Sequence, residues 1–167
     1  LSRRFFSPEK KTLVKGNKLE PERFVLDSYA LLAFFGDEAG QERVRQLLEE
    51  AFHGHCRLFM SIVNLGEVLY ITERERGLPK AQEALARIDE LPVEIVDANR
   101  AQTLAAAHIK AHWSVAYADC FAVALAKLKG ATIVTGDPEL IQLEMASVVP
   151  ISWLATNNPK PAAGQLS

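Results

Sequence analysis

FVLDSYALLAFF, residues 24–35, joins an apolar run that stops at Asp27 to a second apolar run with helical spacing. Phe24, Val25 and Leu26 have no polar residue among them, as expected of a strand covered on both faces. Tyr29, Leu32, Ala33 and Phe35 recur on what would be the core side of a following helix. The stretch therefore predicts a buried strand that delivers one carboxylate to its tip. From Arg23 onward, short apolar runs keep alternating with longer helical ones, the pattern of an α/β domain with a mostly parallel sheet.

Outward from this stretch, a second helix is expected from about Ala39 to Phe52, its apolar stripe made by Val44, Leu47, Leu48 and Ala51. A strand over Arg57–Met60 follows. Ser61 is placed to cap the next helix, which Gly77 stops. Within that helix Ile62, Leu65, Leu69 and Tyr70 are expected on the packed side, with Glu67 among them in the first two turns. A helix from Pro79 to about Glu90 precedes a third strand over 93–97. An Ala-rich helix runs from Asn99 to about His112, and Ser114 is expected to cap the helix VAYADCFAVALAKLK that ends at Gly130. ATIVTGD, 131–137, reads as the fourth strand. Asp137 caps a short helix starting at Pro138, and 148–154 supplies a last strand near the sheet edge, given Pro150.

Composition narrows the class. A chain of 167 residues with 49% hydrophobic content is expected to form one domain with a sizeable core. No apolar stretch is long enough for a membrane span and no secretory leader pattern is visible, so a soluble, cytoplasmic protein is expected. Cys56 and Cys120 sit in apolar surroundings without CxxC spacing and read as buried free thiols. The formal net charge is −2, but the first 22 residues hold six Lys or Arg against three Glu, which leaves the remainder at −5. Such an acidic domain lacks the basic face that a long grip on phosphate backbone needs. Residues 1–22 read as a flexible basic arm or an appended or processed end, 23–154 as the folded domain, and 155–167 as a disordered tail.

Four acids fall where an open α/β sheet places its ligands. Asp27 and Asp137 end strands one and four, and Glu67 and Asp119 lie near helix starts. Capping alone accounts for Asp27 or Asp137, and a solvated stripe for Glu67. Asp119 is different: it lies between Ala118 and Cys120-Phe121-Ala122-Val123, where a lone carboxylate is costly unless paired or metal-bound. Carboxylates gathered in one cleft raise one another's pKa unless positive charge intervenes. Oxygen-only ligands favour Mg²⁺ or Mn²⁺, and such a cluster suits phosphodiester hydrolysis by activated water. Thr135 and Ser28 are candidates for supporting hydroxyls, at a phosphate or at a carboxylate.

In order, FVLDSYALLAFF, SIVNLGEVLYI and YADCFAVALAKLKGATIVTGDPEL resemble the PIN domain, most closely the VapC-type toxins of toxin–antitoxin pairs. The resemblance covers Arg23 to Leu154. It implies a three-layer α/β fold with a central parallel sheet of order 3-2-1-4-5 flanked by helices. It further implies a Mg²⁺- or Mn²⁺-dependent endoribonuclease acting on structured RNA, a homodimer, and a small cognate antitoxin as inhibitor. By position, Asp27, Glu67, Asp119 and Asp137 match the family's acidic quartet. The basic arm falls outside the family pattern.

Other features carry less. His108 and His112 are four apart on a helix but lack an HExxH pattern or third zinc ligand. Arg74 and Arg76, with Lys80 and Arg87 nearby, form a candidate RNA-facing rim or an ordinary solvated face. Two rival readings are a receiver-like phosphoacceptor, prompted by Asp97 at the end of strand three, and a PIN-like binding scaffold without turnover. The receiver reading wants an acidic pair after strand one and a lysine after the last strand; the chain has Asp27 alone, and Trp153 and Leu154.

Overall fold

A computed structural model describes residues 19–155. The expected arm over 1–18 and the tail from 156 lie outside the described residues. Five parallel strands, β1 (Glu22–Leu26), β2 (Cys56–Ser61), β3 (Val93–Val96), β4 (Thr132–Thr135) and β5 (Ile151–Trp153), form one sheet in the order β3-β2-β1-β4-β5. β1 is central: Val25 stands opposite Phe59 of β2 on one side and Ile133 of β4 on the other. The winding runs outward through β2 to β3 and then restarts across β1 at β4. The carboxyl ends of β1 and β4 thus flank the point where the order reverses, the place where open α/β sheets bind ligands.

Side chains alternate between two cores, as the period of a strand dictates. Val25, Phe59 and Ile133 enter one core with α5 (Arg100–His112) and α6 (Tyr117–Lys129). Phe24, Leu26, Leu58, Met60 and Val134 enter the other, with α1 (Ser28–Phe35), α2 (Gln41–Phe52), α3 (Ile62–Arg76) and α4 (Leu78–Asp89). A 3-10 turn over Pro138–Leu140 leads into the short α7 (Ile141–Met145). Every residue of α6 from Asp119 to Ala126 is buried, so this helix is a core pillar rather than an amphipathic cover. Cys56 and Cys120 are buried free thiols, as expected.

Two local expectations are corrected. On α3 the buried positions are Asn64, Leu65 and Val68, whereas Ile62 and Tyr70 are exposed. The helix lies against α1, α4 and α6, and its inward face is rotated from the one its largest apolar residues indicate. Ser114 does not cap α6, which begins at Tyr117 with Ala116 at the cap position and no side-chain capping bond. Val115 is buried in the core, and its carbonyl accepts from Lys110 Nζ at 2.7 Å, which ties the non-helical segment 113–116 to α5 ahead of the helix. The Ser61 cap is as expected, its hydroxyl accepting from the Val63 amide at 3.2 Å.

Gly136, between β4 and the 3-10 turn, is required for space. A Cβ there would stand 2.2 Å from Tyr29 Cε1 and 2.7 Å from Cζ, because the Tyr29 ring lies flat on this backbone. Gly136→Ala is therefore expected to destabilise the domain by about 1–3 kcal/mol, the usual cost of overpacking. Urea unfolding checks this, and most of the penalty should vanish in a Tyr29→Ala background.

Candidate metal centre

Each carboxylate of the cluster arrives by its own route. Asp27 is the first residue past β1 and the N-cap of α1; its Oδ1 accepts from the Ala30 amide at 2.9 Å, and its buried Oδ2 has no hydrogen-bond partner. Asp119 sits in the first turn of α6 and is 5% exposed. Asp137 caps the 3-10 turn, its Oδ1 accepting from the Glu139 amide at 2.9 Å, while its own amide donates to Thr135 Oγ1 at 2.9 Å. Glu67 is half-buried on α3, one oxygen held by the Ser28 hydroxyl.

These groups share one space. Oxygens of Asp119, Asp137 and Glu139 all lie within 4.8 Å of one another. Burial pushes Asp27 from the ordinary 3.8 up to about 7; Asp137 and Glu67 add to the rise, and the Thr135 side chain and Ala30 amide oppose it. Burial likewise pushes Asp119 to about 8, reinforced by Asp27, Asp137, Glu67 and Glu139. Among the described residues, no Lys or Arg pairs with any of the five acids. Two remedies exist for such an arrangement at neutral pH: the buried carboxylates keep protons, or a hard divalent cation takes the oxygens as ligands and offsets the repulsion. The orphaned Asp27 Oδ2, the clustered oxygens and the all-oxygen donor set fit Mg²⁺ or Mn²⁺.

Of the four acids singled out in the sequence, Asp119 and Asp137 cluster with Glu139, and Asp27 and Glu67 stand near enough to Asp119 to raise its pKa. Glu139 was missed although DPE places it in the first turn after Asp137, where an acid is favoured. Asn64 was missed as well: it is fully buried, three residues before Glu67 on the same helix face. Ser28 and Thr135 are both buried, so each meets a carboxylate or a turn amide rather than solvent. Arg74 and Arg76 lie on the exposed last turn of α3, roughly 10–14 Å along the axis from Glu67 at 1.5 Å per residue, with Arg74 over the Tyr70 ring. Lys80 pairs with Glu83, and Arg87 covers the Phe35 ring. His112 Nδ1 lies 2.8 Å from the His108 carbonyl, and among the described residues no third ligand joins this pair. Asp97 follows the edge strand β3, which β2 and β1 separate from β4, so it shares no pocket with Thr135.

The PIN domain family profile matches residues 24–145. The chain belongs to the PIN domain family. No curated protein matches the sequence. Solved structures share the PIN fold at low identity. VapBC2 from Rickettsia felis, bound to a DNA fragment from its promoter, is 16% identical with a TM-score of 0.62, over 79% of this chain and 98% of that one. VapC20 from Mycobacterium tuberculosis, a toxin that cleaves the sarcin–ricin loop, is 16% identical with a TM-score of 0.58, over 72% and 94%. DNA-bound VapBC from Salmonella typhimurium is 17% identical with a TM-score of 0.59, over 78% and 97%. No helix among the described residues of this PIN domain is long and apolar enough to cross a membrane.

The raised pKa values give the metal-free domain a defined pH response. Below 3.8 both folded and unfolded chains hold these protons; from there to about 8 the folded chain keeps protons that the unfolded chain has released. Stability from this pocket is therefore greatest in acid and falls as pH rises through that window, by up to about 1.4 kcal/mol per pH unit for each proton so held. Urea midpoints of metal-free protein at pH 5 and pH 8 check this, with Asp119→Asn expected to flatten the difference.

Proposed function

We propose that this PIN domain is a divalent-metal-dependent endoribonuclease, hydrolysing RNA phosphodiester bonds by attack of water. The observation that carries the reading is the convergence of acids from four separate chain segments, two of them buried, on one pocket without a paired cation. Asp27, Glu67, Asp119 and Asp137 would hold Mg²⁺ or Mn²⁺, joined by Glu139, whose oxygen lies within 4.8 Å of those of Asp119 and Asp137. A bound cation there supplies Lewis-acid stabilisation of charge on phosphate and a lowered pKa for the attacking water. The side chains supply the rest. Glu67 is tied through Oε2 to Ser28, which leaves Oε1 to orient the water or take its proton. Thr135 holds the turn that aims Asp137, and Asp27 fixes its carboxylate by capping α1 with one oxygen while presenting the other.

The fold likeness to VapC and VapBC structures supports a second part of the proposal, that the chain is the toxin of a type II toxin–antitoxin pair inhibited by a small cognate antitoxin. The same likeness supports a cytoplasmic homodimer. At micromolar concentration the protein is expected to sediment at twice its 18.5 kDa chain mass; a monomer at that concentration removes the dimer.

Asp119→Asn is the direct test of catalysis, because it removes one ionisable carboxylate from the buried part of the cluster at nearly constant volume. It is expected to abolish Mn²⁺-dependent cleavage of a structured RNA while leaving the circular dichroism spectrum and a cooperative unfolding transition in place. Undiminished cleavage by the purified variant would overturn the mechanism.

A further inference from the structure

We propose that Asn64 is a positioning residue that sets Glu67 against Asp119, acting through Ser28 and the Ala118 carbonyl. Asn64 is fully buried, and its one amide nitrogen donates to Ser28 Oγ at 3.1 Å and to the Ala118 carbonyl at 3.2 Å. The Ser28 proton lies within reach of Glu67 Oε2 at 2.5 Å and the Asn64 carbonyl at 3.2 Å, and the shorter contact takes it. Three helices thus meet at a single amide. Ser28 follows Asp27 on α1, Ala118 precedes Asp119 on α6, and Asn64 lies one turn before Glu67 on α3. Every group in the relay is next to a carboxylate of the pocket, yet only Glu67 among the carboxylates is touched by it.

Helix packing alone would be served better by an apolar side chain, since a buried amide must be desolvated and here leaves Oδ1 without a partner. What leucine or alanine cannot supply is a pair of donors spanning α1 and α6, with the Ser28 proton consequently turned toward Glu67. The inference rests on the metal-centre reading above for what the positioned carboxylates hold.

Calorimetric titration of Mn²⁺ into the full chain without RNA tests it, for wild type, Asn64→Ala, Ser28→Ala and the double variant, each with a thermal unfolding curve. Loss of an outer partner typically weakens metal binding 10–100-fold. Each single variant is expected to lose about 10-fold or more, and the double little beyond the worse single, because both break one relay. A folded Asn64→Ala protein with a lower Tm but wild-type Mn²⁺ affinity makes Asn64 a packing residue and overturns the proposal. Penalties that multiply in the double variant overturn the relay. Should Asn64→Ala fail to fold, Ser28→Ala decides alone, and undiminished Mn²⁺ affinity there also overturns it. A wild-type chain that takes up no Mn²⁺ sinks the metal centre and this inference together, whereas wild-type binding shared equally by the variants sinks this inference only.

Discussion

Repulsion among buried carboxylates is the constraint around which this domain is built. Asp27 and Asp119 are 1% and 5% exposed and burial raises their affinity for protons first; Asp137 and Glu67 raise it further for both, and Glu139 for Asp119. Part of the opposing stabilisation comes from the backbone. Asp27 caps α1, Asp119 occupies the first turn of α6, and Asp137 and Glu139 start the 3-10 turn, so four of the five acids meet the positive end of a helical segment. Such an end contributes about 0.3–1 kcal/mol per favourable charge. Burying an ion costs several kcal/mol even after relaxation. The helix ends lessen the deficit without closing it, which leaves protonation or a cation to supply the remainder.

The rest of the fold keeps these groups from escaping one another. β1 lies between β2 and β4, so the tips carrying Asp27 and Asp137 are neighbours by hydrogen bonding. The Asp27 amide reaches the Val134 carbonyl at 3.4 Å, at the end of that pairing. α6 is buried over eight consecutive residues and cannot rotate Asp119 outward without exposing Cys120, Phe121 or Val123. At roughly 25 cal/mol per Å² of apolar surface, lifting even one such side chain into water costs on the order of 1.5–3 kcal/mol. Packing is thus spent on holding charges in an unfavourable place, a familiar mark of sites whose geometry serves chemistry rather than stability.

Much of this was legible in the chain because it is written as contradiction. Asp119 interrupts the apolar run 115–126 and Asp27 ends the apolar run 24–26 just before another begins, so hydrophobic pattern alone singles them out. The α/β class and the helices followed from alternating short and long apolar runs, whereas the strand order came only with the resemblance to the PIN domain. Asn64 and Glu139 were less legible because a polar residue on a mixed helix or a turn has an ordinary explanation, and only neighbouring helices decide which way it faces. The same reason defeats the expected inner face of α3: Ile62 and Tyr70 are its larger apolar side chains, yet the contact with α6 turns Asn64 inward. Capping and function were set against each other at Asp27 in the sequence, but the cap occupies only one oxygen and leaves the other without a hydrogen-bond partner.

Charge is also segregated along the helices. α6 carries Asp119 in its first turn and Lys127 and Lys129 in its last, about 12–15 Å away at 1.5 Å per residue. α3 repeats the arrangement, with Glu67 toward its start and Arg74 and Arg76 at its end. Both patterns suit the helix dipoles, which favour anions at one end and cations at the other. The consequence for a polyanionic substrate is that these four basic residues sit one Debye length, about 8–10 Å, or more along their helices from the carboxylates and do little to neutralise them. An RNA phosphate approaching the tips of β1 and β4 would meet negative charge alone, unless the pocket already held divalent cations. On the proposed reading, binding of metal and binding of substrate would be coupled by electrostatics: a cation that offsets the buried carboxylates would also make the pocket attractive to phosphate.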